Sequence, residues 1–277
     1  MTDLAATGAP AFARAAALAA DLRSLAREHG LADATTAQAL VAMTTCLVAS
    51  PRTVFPDPPE YVRDLDEHAV ARAVDADTVR STHGFFDVVA ARASRRDFGG
   101  DALDLARLVS VLHWTVGTRG TTIAYDWRDA PQRHVPSAGG LSSTDVYVLA
   151  QHVDGLAAGS YYFDHRRGLV PISRGAMGQR VADLMPGQAW LSRAGAVLVL
   201  VANADRLEHK YQEMAFKLLM LDVGVTLGHA ELVATALELR SCIVGGLPAD
   251  ELATLLHLDD PSRVPVATLA LGTRTGA

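Results

Sequence analysis

The chain has 277 residues, 49% of them hydrophobic, and a formal net charge of -6. It can bury the core of one large domain, alone or with an appendage, and it has no basic excess to offer a nucleic acid. Its 2 cysteines, Cys46 and Cys242, supply no disulfide framework and no closely spaced zinc set, so no metal site is expected. Asp3 and Arg14 spoil a signal peptide, and the strongest apolar run, residues 194–202, is far short of the ~20 residues of a membrane helix; a soluble, cytoplasmic protein is expected.

Residues 11–30, rich in Ala, Leu and Arg, predict a helix ending at Gly30, and residues 35–49 predict a second. Prolines at 51, 56, 58 and 59 break the pattern, and residues 65–89 are charged and mostly helical. Residues 1–85 thus read as a helical N-terminal extension, suited to packing, dimerisation or peptide docking. A domain over residues 86–277 follows. It opens with Arg92-Ala93-Ser94-Arg95-Arg96-Asp97-Phe98. Guanidinium forks and one hydroxyl match phosphate oxygens; a solvated basic turn is the plainer alternative. A helix over 103–114 stops at Gly117. Residues 118–135 are polar and too long for an ordinary connection, so a functional or mobile loop is expected.

Pro136-Ser137-Ala138-Gly139-Gly140-Leu141 comes next. Small residues and paired glycines let backbone amides face a ligand, or make a turn into the next strand. That strand, 145–152, alternates Val146, Val148 and Ala150 with Tyr147 and Leu149; residues 155–159 then turn into Ser160-Tyr161-Tyr162-Phe163, a hairpin. A short strand at 170–172 and a helix at 179–185, stopped by Pro186-Gly187, follow. Residues 194–202 hold Val197, Leu198, Val199, Leu200 and Val201, apolar without alternation, which marks a buried central strand.

His209-Lys210-Tyr211-Gln212-Glu213 opens a helical run with Met214, Leu218, Leu221, Val225 and Leu232 at three- to four-residue spacing. Gly224 and Gly228 leave a smooth stripe on it. Cys242-Ile243-Val244 then ends in Gly245-Gly246, glycines that suit a strand end close to a ligand. A helix over 249–256 and a strand over 264–271 complete the chain.

Taken in order, these elements resemble the flavin-dependent nitroreductase superfamily. Within it they resemble the azoline oxidases (SagB-type or ThcOx-type dehydrogenases) that tailor ribosomal peptides. The likeness runs from Arg92 to Gly272. Arg92-x-Ser94-x-Arg96-x-Phe98 looks like the opening flavin motif, Pro136-Ser137-Ala138-Gly139-Gly140-Leu141 like the subfamily signature, and Gly159-Ser160-Tyr161-Tyr162-Phe163-Asp164 like its following hairpin. Lys210-Tyr211 falls where these oxidases carry a catalytic pair, and Val244-Gly245-Gly246 where a segment runs beside the flavin.

The resemblance implies an α+β nitroreductase-like fold, a central mostly antiparallel sheet flanked by helices, binding FMN. It implies oxidation of thiazoline or oxazoline rings to thiazole or oxazole in a peptide natural product. A modified precursor peptide, a cyclodehydratase complex and a second copy of the chain are the implied partners. Lys210 becomes the general base and Tyr211 its partner; such a lysine must be held neutral, by burial or by a cation such as Arg206 or His209. Arg92 is assigned to the flavin phosphate and Arg96 to the pyrimidine edge, where a cation stabilises reduced flavin. Ser94 and Ser137 are assigned to phosphate or ribityl oxygens. Pro136, Ala138, Gly139, Gly140, Val244, Gly245 and Gly246 line the cofactor, and Arg274 reaches its phosphate or frays. The chain departs from the family at Ser142-Ser143, Gly228-His229 and Lys217. These departures keep other expectations open: an NAD(P)H-dependent nitroreductase or quinone reductase, a peptide Cα–Cβ dehydrogenase, or a flavin-poor scaffold subunit.

Overall fold

Strand β6 (Ala196–Asn203) has no exposed residue and lies inside a six-stranded antiparallel sheet. The computed structural model describes residues 79–274 apart from 125, 126, 186, 212, 213 and 261. The helices expected before residue 79, Cys46 and nearly all of the N-terminal extension therefore lie outside the described residues.

The sheet contains β3 (Thr144–Ala150), β4 (Gly159–Asp164), β5 (Gly168–Arg174), β6, β7 (Arg240–Val244) and β8 (Arg263–Gly272), in the order β5-β4-β3-β6-β8-β7. β3 to β5 form a meander; β6 joins it by pairing Tyr147 with Val199 and Leu149 with Val197. β8 covers the other side of β6, and β8 is the one described strand that pairs with β7.

Both faces of this sheet are covered, which is why β6 shows no polar alternation. One face, with Val146, Val148, Leu198, Leu200 and Leu269, packs against α2 (Leu105–Val116) and α5 (Ala215–Ala236). The other, with Tyr147, Leu149, Val197, Val199 and Ala270, meets α3 (Gly178–Leu184) and α6 (Ala249–Leu255). Each fully buried Leu or Val stabilises this arrangement by roughly 1.5–3 kcal/mol. A short helix α1 (Phe85–Ala91) precedes these layers, and α4 (Asp205–Tyr211) follows β6 directly.

Local signals set the helix limits. Asp104 caps α2 by accepting from the N–H groups of Ala106 at 2.6 Å and Arg107 at 3.2 Å. Gly117 ends α2 because a Cβ there would sit 2.3 Å from the His113 carbonyl oxygen. Beyond α5, Glu238 takes a left-handed φ of 59°, a C-terminal role usually given to glycine. By length and composition α5 could cross a membrane, yet it packs one side on the sheet as a core helix.

One expectation is corrected. Residues 118–135 are no irregular loop: β1 (Thr118–Ala124) and β2 (Trp127–Arg133) form an antiparallel ribbon separate from the main sheet. Thr118, Thr121, Thr122 and Ile123 are β-branched and favour strand. Their polarity reads as loop because Ile123, the one large apolar residue of β1, is exposed and joins neither core.

Candidate functional site

The arginine stretch lies along β7. Ser94 makes a parallel bridge with Ser241, and the Arg95 N–H donates to the Ser241 carbonyl at 2.7 Å. Further on, Phe98 bridges Arg274, stacks on Trp190 at 5.8 Å and is itself buried. Arg92, Ser94, Arg96 and Arg274 are thus gathered near one end of β7. Arg92 lies 3.6 Å from Glu231, and the Arg96 guanidinium sits 5.7 Å from the centre of the Trp190 ring. Arg240, on β7, adds a cation here, 3.5 Å from Asp97. Burial raises the pKa of Glu231, against the pull of Arg92.

Gly245 and Gly246 lie past the other end of β7, four residue steps from Ser241, roughly 13 Å at the rise of a strand. A Cβ placed on either would meet no described atom within 4 Å. Neither has a left-handed backbone, so among the described residues no packing demands glycine there. A Cβ on Gly140 would likewise meet no described atom within 4 Å. At each of these glycines a side chain would fill space that the bare backbone leaves open to a ligand.

The Pro136–Gly140 segment is a tight turn ending in a 3₁₀ helix, with Gly139 at φ 59° and Gly140 at φ 71°. Its anchor is Asp222 of α5. That buried carboxylate accepts from the Ala138 N–H at 2.8 Å and the Ser143 hydroxyl at 2.6 Å. Burial raises the Asp222 pKa, opposed by these two bonds. Ser137 accepts from the Ser142 N–H at 2.9 Å, closing the turn on itself. The departure at Ser142-Ser143 therefore has a structural part: Ser143 ties the turn to α5, and Ser142 adopts φ 53°.

Lys210 and Tyr211 end α4, with the Lys210 ammonium 4.8 Å from the centre of the Tyr211 ring. Arg206 sits one turn earlier, and residues four apart share a helix face. Its guanidinium donates to the Ser142 carbonyl oxygen and to Asp145 Oδ1, the latter at 3.1 Å. Arg206 does not point to solvent: its side chain is 12% exposed and paired with buried Asp145, which offsets part of the positive charge it could lend Lys210. His209 Nδ1 lies 3.3 Å from the Asp205 carbonyl oxygen of its own helix.

Sequence reasoning missed Asp222, Glu231, Asp145, Arg206 as an anchor, and Arg240. A signal existed for two of them: Asp222 and Glu231 are the only acids in α5, and both are buried in an apolar helix. An acid in such a place needs a partner. Gly224 and Gly228 lie on the exposed side of α5 beside Leu221 and Val225, both exposed among the described residues, and no described atom comes within 4 Å of a Cβ at either glycine. A cavity of about 370 Å³, lined by Trp114, His134, His229, Val233 and Leu237 among others, holds none of the residues chosen from the sequence. Among the described residues no group of three or more His, Cys, Asp or Glu could hold a metal ion.

The model of the Nitroreductase family matches residues 89–273. A Methanocaldococcus jannaschii protein assigned as a nitroreductase is 27% identical over 175 residues, covering 63% of this chain and 84% of its own. Three solved structures share the fold. A chain from Ralstonia eutropha, assigned as a nitroreductase, superposes with a TM-score of 0.61 at 21% identity, over 83% of this chain and 96% of its own. One from Anabaena variabilis, similarly assigned, gives 0.57 at 22%, over 69% of this chain but only 38% of the longer Anabaena chain. A chain of the E. coli microcin synthetase McbBCD complex with truncated pro-MccB17 bound gives 0.55 at 16%, over 80% and 88%.

Proposed function

The chain belongs to the nitroreductase family, and from that premise we propose that it is an FMN-dependent dehydrogenase. Its substrate is an azoline ring in a ribosomally made peptide, which it oxidises to a thiazole or oxazole. The observation that carries this reading is the join between α4 and the glycine turn. Arg206 bonds to Ser142 at the end of that turn, and Lys210 shares its helix face one turn on. We read the amine as reaching the ligand side of that turn.

Arg92, Ser94, Arg96 and Arg274 would hold the phosphate and pyrimidine edge of the cofactor, and Gly139, Gly140, Gly245 and Gly246 would give its ring room. When bound, the flavin supplies the two-electron acceptor that such an oxidation needs. Lys210 removes the acidic ring proton, and Tyr211 orients the substrate or passes the proton on. The exposed stripe of Leu221, Gly224, Val225 and Gly228 is where a second copy would pack. The partners in this reading are a cyclodehydratase and its precursor peptide in the cytoplasm; the fold neighbour belongs to a microcin synthetase complex with a truncated pro-peptide bound, which accords with a peptide partner.

The test starts with an absorbance spectrum of purified protein. It continues with a synthetic peptide carrying one thiazoline, followed by mass spectrometry for loss of two hydrogens. Lys210→Ala keeps the yellow cofactor and loses turnover by a factor of about 10² to 10⁴, the usual scale for a general base. Full activity in that variant removes the mechanism. A second reading, an NAD(P)H-dependent nitroreductase, is favoured by the assignment of the Methanocaldococcus relative. Rapid NADPH oxidation with a nitroarene, and none of the peptide oxidation, decides for it.

A further inference from the structure

We propose that Arg206 is a positioning residue, a strut that locks the Lys210 helix to the Pro136–Ser142 turn so that the two hold one fixed spacing. The inference deepens the functional reading above and rests on it for the role of Lys210.

α4 has only seven residues, so its own backbone bonds hold it weakly. Leu207, fully buried, seats it on the core, and polar side chains at its start add two ties. Asp205 Oδ2 accepts from the Ser262 hydroxyl at 3.0 Å, tying the helix to the segment that enters β8. Arg206 makes the other tie, and its two acceptors belong to two different elements. One is the Ser142 carbonyl, the last of the turn; the other is Asp145 on β3. A planar guanidinium can satisfy two acceptors at once in fixed directions, which a lysine ammonium at that distance cannot reproduce.

The surroundings make the link stiff. The Arg206 side chain is 12% exposed and that of Asp145 4%. Asp145 is also held by strand pairing on β3, opposite Val201. On its far side, the turn is pinned to α5 by Asp222. The turn is thus clamped between two long-range anchors, Asp222 from one helix and Arg206 from the other. Asp222 fixes where the turn lies; Arg206 is the direct tie between that turn and α4. A shift of α4 by about 1 Å carries the Lys210 amine with it, a displacement that costs on the order of a hundredfold in rate.

Two substitutions separate this role from simple stability. Arg206→Lys keeps the charge and loses the paired geometry. Asp145→Asn keeps the shape of the acceptor, and with it the bond from Arg206 to Ser142. Two readouts are taken on the full chain with its flavin bound: hydrogen exchange of the segments 137–142 and 205–211, and turnover per bound flavin on the thiazoline peptide. In Arg206→Lys both segments exchange faster together, kcat falls by about a hundredfold, and KM and flavin content stay near wild type. In Asp145→Asn, where the bond to Ser142 survives, both segments loosen less and kcat falls less than in Arg206→Lys; an equal or larger fall would show that the Ser142 bond is not the strut. Should Arg206→Lys loosen neither segment or only one, the strut is wrong. It is equally wrong if kcat per flavin is unchanged while Lys210→Ala abolishes turnover. If both segments loosen but Lys210→Ala retains full turnover, the strut stands and the proposed chemistry falls.

Discussion

Replacing Asp222 by alanine removes the acceptor for two donors at once, the Ala138 N–H and the Ser143 hydroxyl, in a place that water does not reach. A hydrogen bond to a charged group contributes about 1.5–3 kcal/mol, so the gross loss is roughly 3–6 kcal/mol. Burial opposes the carboxylate's charge, as its raised pKa shows, and removing it returns part of that cost. A net loss of about 2–4 kcal/mol remains. At roughly 2–4 °C per kcal/mol for a domain of this size, the melting temperature falls by about 5–15 °C. Asp222→Asn keeps one acceptor oxygen and turns an amide N–H₂ toward the second donor, so it loses about half as much. Thermal unfolding by circular dichroism measures both, and flavin absorbance after desalting reports whether the turn still holds its shape. The pH dependence has a fixed sign. With the folded pKa above the unfolded value near 3.8, the native state holds the extra proton in that window. Stability therefore falls as pH rises from the unfolded value through the raised one, then levels off. Glu231 contributes in the same direction, so the difference between wild type and Asp222→Asn isolates Asp222. An alanine variant melting within about 2 °C of wild type would refute this account of the turn.

Gly245→Val leaves the melting temperature of flavin-free protein unchanged, because its Cβ meets no described atom within 4 Å, and it lowers flavin occupancy; full occupancy would mean the ring lies elsewhere. Arg96→Ala weakens flavin binding by about tenfold or more, the scale of losing one charge-assisted contact, with fluorescence titration as the measure; an unchanged affinity counts against its assignment. Val225→Glu, on the exposed side of α5, shifts the protein to monomer in sedimentation. If the variant sediments as wild type does, the proposed second copy packs on another face.

Much of the fold was legible because each strand of the main sheet carries its own pattern. β3 alternates between two cores, and β6, buried on both sides, is apolar throughout. The β1–β2 ribbon was not legible, since its strands bury little and period-two patterning needs a buried side to show. Within the candidate site, the glycine turn and the Lys210-Tyr211 pair stand out as local motifs. The groups that bind them together do not. Asp222 is 84 residues from Ala138, and Arg206 is 64 from Ser142; such pairs are made by the fold, and residue spacing carries no trace of them. Arg92 shows the limit from the other side: its type suggested an anion, and the structure gives it the carboxylate of Glu231 as its neighbour.

Among the described strands β7 is the outermost on its side of the sheet, with one row of backbone groups facing away from β8. Bare rims of this kind recruit other strands and seed aggregates. Here the rim is blocked at Ser241, where Ser94 and Arg95 lie alongside it. The five residues from Arg92 to Arg96 thus carry cationic groups and also act as a guard rail against fibre-like pairing. Cutting the chain just ahead of Gly99 would strip both at once, and the shortened protein should be sticky as well as inert.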